Sequence, residues 1–538
     1  KIMISKSNTN IADKLSLKAQ DNYKRFQEEL EKQFSDQSLR EELLILYSNM
    51  LSRSADNYLD YVSEESKCNL VKEIYEKFLS YVSTASKHGD PKVEDISAVP
   101  NTVLAILKDS SFIVASVNEY LRVNRFLQPV ISHPVLTLEA LGYSLVILTI
   151  KEQNRLSELK SEMLATLEKV RHVNSDFELM VETINDFSSK LTNTEYQSLS
   201  SALCSGEFVL LGTREWKYQK KEGLVCLESR NSGFFSSSQF GITKQLRDID
   251  YDVEHVIKTG KDFYYSKYPI LAPVYHSEFL DLIIFKFSND EADYFIAIIG
   301  IFGAKLSNQE ASDLPIIRQY ATKIFEDKGY GVGSYLYTQV TAILNSLPLS
   351  ILYSLQYEEL KDFVIDQIDY ELSGELVVKV AKDQLNRFVF ATVVCPSKKY
   401  SEAVRLRIQE VLVERLGAVN DILDYHLIVS DLPYVIVSFL VPIFNSLKSN
   451  FNIEEIQHEI RAITVSWEEQ LLQKLCERHG KIEGQSIFNR FGGSISPAYR
   501  AGHQPEDAVN DLEAIIKLGA SNPVAVSLNH FFDNQIGE

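Results

Sequence analysis

Residues 329–445 constrain the fold more than any other part of the chain, because apolar runs typical of buried strands alternate there with stretches of helical periodicity. The predicted elements are, in order, a helix (Tyr335–Ser346), a strand (Leu349–Leu355), a helix (Tyr357–Tyr370), strands at Glu375–Ala381 and Phe388–Val394, a helix (Ser401–Leu416), and strands at Asp424–Ser430 and Tyr434–Val441. The core of this order is β-α-β-β-α-β, which predicts a ferredoxin-like split βαβ.

The rest of the chain is predicted to form several further regions, because 538 residues are too many for one hydrophobic core. The predicted regions are 1–92 (helical), 93–173 (a small α/β module), 174–328 (a sheet-rich mixed domain), 329–450 (the module above), 451–517 (helical) and 518–538 (a strand, Ser521–Phe532, that starts a further module). Because that last strand stands almost at the end of the sequence, we expect the C-terminus to lie inside a domain.

Charge and cysteine usage exclude several classes of protein. The net charge is −19, from 74 acidic and 55 basic residues, so the surface repels phosphate backbones and nucleic acid is not an expected partner. Five cysteines with no Cys-x-x-Cys pair favour a reducing, cytoplasmic setting over a disulfide framework or a zinc site. The most apolar stretches, Phe295–Gly303 and Tyr434–Phe444, are far shorter than the roughly 20 residues that span a bilayer, so no membrane association is expected.

The sequence contains no Walker A, G-x-S-x-G or H-E-x-x-H motif. The run Gly329–Gly333 does not complete G-x-G-x-x-G and is interpreted as a turn before a helix. His133, in SHPVLTL, is interpreted as a partly buried turn histidine beside a strand-starting proline, with a ligand or base as the alternative. His479 is interpreted as a helix C-terminal residue before Gly480. The sequence therefore predicts no catalytic, cofactor-binding or metal-ligating residue.

A basic helix in RFVFATVVCPSKKYSEAVRLRIQEVL (Arg387–Leu412) is the one candidate anion site. Arg405 and Arg407 are two residues apart, so on a helix they point about 200° apart and cannot grip one anion together. Arg405 and Lys398–Lys399 could share the turn before the helix. Both a structural or interface role and an anion site stay open for these residues.

The same stretch resembles a block near the N-terminus of the large NAD-specific glutamate dehydrogenases, the ~180 kDa class found in bacteria. The matching residues are Arg387, Phe388, Val393, Pro396, Tyr400, Arg405, Arg407 and Ile408, with Lys398 or Lys399 as a further basic residue. Four more blocks resemble the family in the same order, between about residues 95 and 530. Their matching residues are Asp109, Phe112, Ser116, Val117, His133, Pro134 and Val135 in the first, Pro315 and Arg318 in the second, the stretch Ser430–Val441 in the third, and Trp467, Tyr499, Ala508 and Asp511 in the last.

The resemblance implies an α+β chain of tandem ACT-like (ferredoxin-like βαββαβ) modules, at 93–173 and 329–450, with a PAS-like sheet domain (174–328) between them and helical segments around them. In this family the catalytic lysine and the Rossmann domain lie further toward the C-terminus. The chain is therefore expected to be a non-catalytic N-terminal regulatory and oligomerisation part. The whole family enzyme converts L-glutamate, NAD and water to 2-oxoglutarate, ammonia and NADH.

The resemblance also implies partners. They are the chain's own catalytic domain, other subunits of a homo-oligomer, and an amino-acid effector, while NAD is expected as the cofactor of the whole enzyme and not of this region. Two alternatives stay open: a free-standing ACT/PAS-type amino-acid sensor or scaffold, and a region that is itself an enzyme. A reading frame that continues past Glu538 with a glycine-rich lysine motif and G-x-G-x-x-G distinguishes the regulatory region from the free-standing sensor.

Overall fold

Contacts divide the chain into two compact units, Lys1–Tyr357 and Glu358–Glu538. The computed structural model of the chain describes residues 15–54, 59–84, 89–138, 140–237, 240, 246, 249–373, 377–382, 387–397, 400–416, 424–429, 434–442, 452–463, 467–496, 499, 503–518 and 524. Both units combine helices with antiparallel sheet, in agreement with the predicted α+β class. Among the described helices, none is long and apolar enough to cross a bilayer. The division into six regions stays a prediction, and the strand predicted at Ser521–Phe532 lies outside the described residues apart from Val524.

Three helices open the first unit: α1 (Leu17–Gln33), α2 (Gln37–Ser52) and α3 (Glu64–Thr84). A polar side chain caps the start of each of the first two. The hydroxyl oxygen of Ser16 accepts a hydrogen bond from the Ala19 N–H (3.2 Å), and the Asp36 carboxylate accepts one from the Ser38 N–H (2.9 Å). The buried faces of the three helices share one core with the sheet that follows.

The following βα module, called the first module, runs from β1 to α5. Its elements are β1 (Lys92–Ile96), β2 (Thr102–Lys108), α4 (Ile113–Val123), β3 (Val130–Ser132), β4 (Val135–Leu138), β5 (Leu141–Thr149) and α5 (Leu156–Ser175). The sheet order is β1-β2-β5-β3, β4 also pairs with β5, and every pair is antiparallel. Leu104 and Ile106 of β2 pack against α1–α3. Since side chains alternate along a strand, the buried residues Val103 and Ala105 of β2 face the opposite side of the sheet.

A second, larger sheet, called the central sheet, completes the first unit with its flanking helices. Its elements are α6 (Phe177–Ser188), α7 (Thr194–Cys204), β6 (Phe208–Gln219), β7 (Gly223–Cys226), β8 (Ser232–Gly233), α8 (Ile249–Thr259), β9 (Phe263–Leu271), β10 (Phe279–Ser288), β11 (Asp293–Phe302), α9 (Ala304–Ser307), α10 (Ile317–Lys328), α11 (Tyr335–Ser346) and α12 (Leu349–Ser354). The antiparallel order is β7-β6-β11-β10-β9, with β8 on β6. Gly300 permits the bulge between β11 and β6, because a Cβ there would lie 2.2 Å from the Phe208 ring.

The second unit contains a four-stranded sheet and a helical region. Its elements are α13 (Tyr357–Ser373, which starts at the end of the first unit), β12 (Val377–Lys382), β13 (Phe388–Pro396), α14 (Glu402–Leu416), β14 (Asp424–Val429), β15 (Tyr434–Pro442), α15 (Ile453–Ile463), α16 (Trp467–His479), α17 (Lys481–Phe491) and α18 (Pro505–Ile516). The segment from β12 to α15, called the second module, has the antiparallel order β12-β13-β15-β14. Its core packs α14 and α15 on one sheet face, and α16–α18 enclose a separate core.

One predicted strand is wrong, and with it the predicted βαββαβ order. Residues Leu349–Ser354 form α12 and are all buried. Because both faces of this short segment are buried, its sequence has no hydrophobic periodicity that distinguishes a strand from a helix. Pro348 precedes the helix, and its carbonyl accepts the N–H groups of Ile351 (2.9 Å) and Leu352 (3.1 Å). The described order of the second module is therefore ββαββα. Moving the first strand and helix of βαββαβ to its end gives this order, so the module is a circular permutation of the predicted connectivity.

The first module has the same connectivity as the second. If β3 and β4 count as one interrupted edge strand, both modules read ββαββα, and both sheets place the strands in the order first, second, fourth, third. The helix in the middle of each module buries apolar residues at the same spacing. These residues are Ile113, Val117 and Leu121 in α4, and Ile408, Leu412 and Leu416 in α14.

Candidate functional site

A cavity of about 360 Å³ lies on the helix layer of the first module. Its walls come from α4, α5 and the segment Ala272–Ser277, which connects β9 to β10 of the central sheet. Two hydrogen bonds hold that segment against α4: the Tyr275 N–H donates to the Ser116 hydroxyl oxygen (2.8 Å), and the Ser277 N–H donates to Glu119 Oε1 (2.9 Å). Ser116 belongs to the sequence block that resembles the glutamate dehydrogenases, and the structure gives it this docking role.

Charges in the larger cavity are mostly acidic. Glu119, Glu158 and Glu162 line it together with Lys169 and His276. Hydrogen bonding to Arg122 lowers the pKa of Glu119, so its carboxylate stays ionised. The sequence alone does not predict this cavity, because the segment that closes it is more than a hundred residues distant along the chain from α4.

A smaller cavity of about 260 Å³ lies at the other end of the same two helices, where the turn between β2 and α4 meets the end of α5. Its lining residues are Lys108, Asp109, Ser110, Arg171, Asn174 and Ser175. The Asn174 side-chain amide donates to the Ser111 carbonyl (3.1 Å) and to the Val170 carbonyl (2.8 Å), which ties the turn to the helix. In chain order this turn corresponds to the connection between β13 and α14 in the second module.

Asp109 and His133, both matched in the sequence resemblance, meet through a third residue. The Ser144 hydroxyl donates to Asp109 Oδ1 (2.5 Å) and lies 2.9 Å from His133 Nε2. Because Ser144 has a single proton, which goes to Asp109, the imidazole donates from Nε2. Burial, with the nearby Arg53 charge second, lowers the pKa of His133. Sequence reasoning missed Ser144, although a serine inside the apolar run of β5 was a signal that a polar partner lies nearby.

The relay from Asp109 to His133 borders the N-terminal helices. The backbone N–H of His133 donates to the Arg53 carbonyl just past the end of α2 (3.5 Å), and the hydroxyl of Ser132 donates to the Met50 carbonyl (3.2 Å). His133 itself sits between β3 and β4, in the turn predicted from the following proline. The bonds join the edge of the sheet to the end of α2.

The candidate anion site at Arg405 is occupied by the protein's own groups. Arg405 is buried and donates to both oxygens of Glu402 (3.0 Å from Nε) and to Gln409 Oε1 (2.6 Å). Its guanidinium carbon lies 4.2 Å from the ring centre of Tyr425 on β14. Arg407 is exposed, so the prediction that the two arginines point apart is confirmed. Lys398–Lys399 lie outside the described residues.

Arg318, the matched arginine of the second block, is held by a carboxylate from another part of the first unit. Arg318 donates to both oxygens of Glu195 (2.8 and 3.0 Å), and Glu195 also accepts the backbone N–H of Ile316, whose φ of 69° is unusual for a β-branched residue. Beside this turn lies a third cavity, of about 180 Å³.

In the helical region, the Trp467 indole donates to the His503 carbonyl (2.9 Å) and the Tyr499 hydroxyl donates to Asp511 (2.5 Å). Both bonds close the core of α16–α18, which contains Ala508. The four matched residues of this block therefore have a common structural role.

The remaining residues that the sequence singled out have local roles. Gly329 ends α10 in the left-handed conformation, and Ser334 caps α11, so the glycine run connects two helices. His479 is the last residue of α16, as predicted, and its Nε2 lies 3.0 Å from Glu513. Within the described ranges, no group of three His, Cys, Asp or Glu residues is arranged to hold a metal ion.

Two stretches of the second unit match known families. Residues 378–468 match the model of the glutamate dehydrogenase ACT2 domain, and residues 474–518 match the model of glutamate dehydrogenase helical motif 2. The first match covers nearly all of the second module, and the second covers the C-terminal part of α16 together with α17 and α18. These two stretches of the second unit are therefore similar to an ACT domain and a helical motif of glutamate dehydrogenases.

Curated relatives that share one name are similar to this chain over most of its length. The chain is 22% identical over 397 residues to the NAD-specific glutamate dehydrogenase of Halomonas elongata. The aligned region makes up 71% of this chain and 24% of that protein. The chain is 20% identical over 393 residues to the protein of that name from Mycobacterium tuberculosis, covering 68% of this chain and 23% of that protein. The chain thus spans about a quarter of the length of these relatives. The predicted resemblance to the large NAD-specific glutamate dehydrogenases is confirmed.

Proposed function

We propose that this chain is an N-terminal regulatory and oligomerisation part of an NAD-dependent glutamate dehydrogenase. The observation that carries the proposal is the pair of ββαββα modules, the second of which coincides with the ACT2 family match. The first module has the same connectivity and strand order as the second, which supports its assignment as a further ACT-like module. Whole proteins of this kind oxidise L-glutamate with NAD and water to 2-oxoglutarate, ammonia and NADH, and this region acts on that reaction without catalysing it.

The central sheet supports a PAS-like domain between the modules. Numbered along the chain without the short β8, its strands have the order 2-1-5-4-3, and every described pair is antiparallel. Such a domain between two ACT-like modules gives the regulatory region three places where a small molecule or another subunit can dock.

Ligand sensing is supported by the cavities on the helix layer of the first module. A ligand bound between α4, α5 and the segment Ala272–Ser277 would contact both the module and the central sheet, so its binding energy would depend on how the two are held together. That dependence is what regulation of an attached catalytic domain requires, since a ligand shifts only equilibria between states that it binds unequally.

Assembly is the second part of the proposed function. Subunits of a homo-oligomer and the chain's own catalytic domain are the expected partners, in the cytoplasm. The acidic surface, with a net charge of −19, disfavours nucleic acid as a competing partner.

A thermal-shift screen tests the ligand part. The chain is melted with each L-amino acid, NAD, 2-oxoglutarate and nucleotides, and each hit is repeated with an enantiomer or close analogue as its control. A ligand present at 100 times its Kd adds about 2.7 kcal/mol of stability, which raises Tm clearly. Light scattering over a range of concentrations tests assembly. A chain that stays monomeric and responds to no ligand contradicts the proposal, and glutamate oxidation by these 538 residues alone contradicts the non-catalytic assignment.

A further inference from the structure

We propose that the third cavity, of about 180 Å³, binds a single neutral aromatic ring that contains nitrogen, of the pyridine or pyrimidine class. This inference rests on the proposed regulatory function, for which it names a site and a class of ligand. The cavity lies in the first unit, between α7, the start of β9, the turn before α10 and the end of α12. Its evidence is the composition of the walls, two tyrosine hydroxyls, a rigid turn on one side and the volume.

Aromatic side chains form most of the interior of this cavity. Tyr196 and Phe263 stack with their ring centres 5.5 Å apart, and Phe263 meets Tyr353 edge-to-face at 6.4 Å. The ring of Tyr320 also lines the cavity, together with the aliphatic side chains of Ile317 and Leu352. Aromatic rings attract a further ring in the same offset or perpendicular arrangements. A planar aromatic ligand therefore fits these walls better than an aliphatic chain does.

Two tyrosine hydroxyls in the cavity are available to a ligand. Burial raises the pKa of Tyr196, and the nearby Tyr320 and Asp262 raise it further, so these three polar groups lie close together. In the part of the chain that the structure describes, no protein group forms a hydrogen bond with the hydroxyl of Tyr196 or Tyr320. The Tyr353 hydroxyl differs, because it donates to the Pro315 carbonyl (3.2 Å). A ring nitrogen or a carbonyl of a ligand is a suitable acceptor for the two available hydroxyls.

The mouth of the cavity carries one charge of each sign. Lys261 and Gln356 are partly exposed and Asp262 is exposed, so these residues lie where the cavity opens to solvent. One cation beside one anion gives no net preference for a charged ligand. The Asp262 carboxylate only accepts hydrogen bonds, so it favours a ring that carries an N–H or NH₂ donor. Donors and acceptors on one small ring are typical of pyrimidines and of pyridine carboxamides.

The turn before α10 forms a rigid wall. Ile316, which lines the cavity, has a φ of 69°, a strained conformation for a β-branched residue. Glu195 holds it there, because its carboxylate accepts the Ile316 N–H (2.8 Å) while it also pairs with Arg318 Nε (2.8 Å). Strained backbone of this kind is concentrated at ligand-binding and active sites. The wall is thus preorganised, and a ligand does not have to order it on binding.

The volume limits the ligand to about one ring. A cavity of about 150 Å³ lined by leucine, isoleucine and phenylalanine is large enough to bind benzene. The third cavity, at about 180 Å³, is slightly larger and so accepts a six-membered ring with small substituents. The double ring of a purine exceeds this space. Size therefore separates the proposed ligands from adenine and its nucleotides.

Isothermal titration of the full chain tests the ligand class. The probes are nicotinamide, cytosine and uracil. Each is compared with a carbocyclic counterpart of similar size that lacks the ring nitrogens: benzamide, meta-aminophenol and resorcinol, respectively. We expect at least one probe to bind at one site per chain, and its counterpart to bind about fivefold more weakly because it loses a hydrogen bond.

Three results of the titrations overturn the proposal. One is that none of the three probes binds at millimolar concentration. Another is that the carbocyclic counterpart binds as tightly as the probe, which would mean that the ring nitrogens are not recognised. The third is that adenine binds as tightly as the best probe, which would contradict the limit of one ring.

Variants then locate the site. Tyr320→Phe removes a hydroxyl and keeps the ring, and Asp262→Asn removes a charge at the mouth. They are expected to weaken binding of the probe about fivefold and about tenfold, respectively. The matched controls are Tyr251→Phe and Asp290→Asn, which make the same changes at exposed positions outside the cavity and should leave binding unchanged. Melting curves of all four variants without ligand verify that they fold.

The outcomes separate this inference from the proposed function. If a probe binds and both cavity variants bind it like the unchanged chain, the site assignment is wrong while ligand regulation stands. If no probe binds but another compound raises Tm in the thermal-shift screen, the inference is wrong and ligand regulation stands. If nothing binds and the chain is monomeric at every concentration, the inference and the proposed function are both wrong.

Discussion

The two ββαββα modules have the same strand order, yet each attaches its edge strand to the rest of the module by different chemistry. In the second module β14 is continuous over Asp424–Val429, and its Tyr425 packs under the guanidinium of Arg405 from α14. In the first module the equivalent edge is divided into β3 and β4 at His133 and Pro134. There the attachment is made by hydrogen bonds through Ser144 to Asp109.

Pro134 explains why the first module differs. A proline has no N–H for the ladder and is tolerated at an edge or an irregularity of a sheet. Its carbonyl still accepts the Leu145 N–H (2.9 Å), so the edge stays in place while the ladder is interrupted. The interruption is where the His133 ring reaches Ser144. Pro134 thus replaces a regular edge with a partly buried polar relay, and the relay ends at the aspartate that lines the smaller cavity.

The comparison shows that the spacing of buried apolar residues and the polar contacts determine different features of a module. The spacing of buried residues in α4 and α14 is the same, and it gives both modules the same helix-on-sheet packing. The polar contacts depend on single residue identities and differ completely. A shared fold therefore does not imply a shared site.

The largest expected effect tests whether the modules depend on their middle helices to the same degree. Leu121→Ala in α4 and Leu412→Ala in α14 each remove a buried leucine, at a cost of about 2–5 kcal/mol. Hydrogen exchange followed by mass spectrometry should show loss of protection in the strands of the altered module. The controls are Val123→Ala and Leu406→Ala, on the same helices but exposed by 51% and 44%. Loss of protection throughout both units would contradict two independent cores.

The next effect tests the attachment in the second module. Arg405→Gln removes the pair of bonds to Glu402 and the contact with Tyr425, and we expect a loss of about 2 kcal/mol. The protection of β14 should fall first, because Tyr425 lies on that strand. Arg407→Gln, an exposed position two residues away, should change stability by less than about 0.5 kcal/mol. Equal effects of the two substitutions would show that Arg405 does not hold the edge strand.

A smaller effect is expected for the relay of the first module. Ser144→Ala leaves the partly buried His133 Nε2–H and an oxygen of Asp109 without their partner, at a cost of about 1 kcal/mol or slightly more. Exchange should become faster in β3, β4 and the turn before α4, while the second module stays unchanged. Ser161→Ala, an exposed serine of α5, serves as the control. Equal exchange rates in Ser144→Ala and Ser161→Ala would show that the relay does not hold the edge of the first module.

Much of this architecture follows from the sequence, because most elements are either amphipathic or continuously apolar. α11, α13, α14 and the strands β12, β13, β14 and β15 agree with the predicted positions to within a few residues. The strand predicted at Leu349–Leu355 failed because a short buried apolar run has no period. β9 went unpredicted, since lysine and proline interrupt FYYSKYPIL, although its aromatic residues and its proline are typical of an edge strand.

The sites were less predictable than the fold. The Arg405 side chain was correctly separated from Arg407 by helical geometry, but its partners Glu402, Gln409 and Tyr425 depend on packing that no spacing rule gives. Asp109 and His133 were matched by resemblance without any indication that they meet. Their meeting depends on the antiparallel register of β4 and β5, which pairs Val135 with Ser144 and so brings Ser144 beside His133. Register of this kind is a tertiary property.

The smallest expected effect concerns pH and separates the two modules once more. Since the folded-state pKa of His133 is lowered, the unfolded chain binds more protons than the folded chain just below the ordinary histidine pKa of about 6.5. Stability of the first module should therefore be unaffected above that pH and should fall as the pH drops below it. Hydrogen exchange at pH 7 and pH 5.5, corrected for the intrinsic rate, measures the loss in β3–β5. In His133→Gln, which cannot take up a proton, the pH dependence in this window should disappear. The second module, whose edge strand is held by Arg405, should show no such change, and an equal loss in both modules would mean that His133 is not its cause.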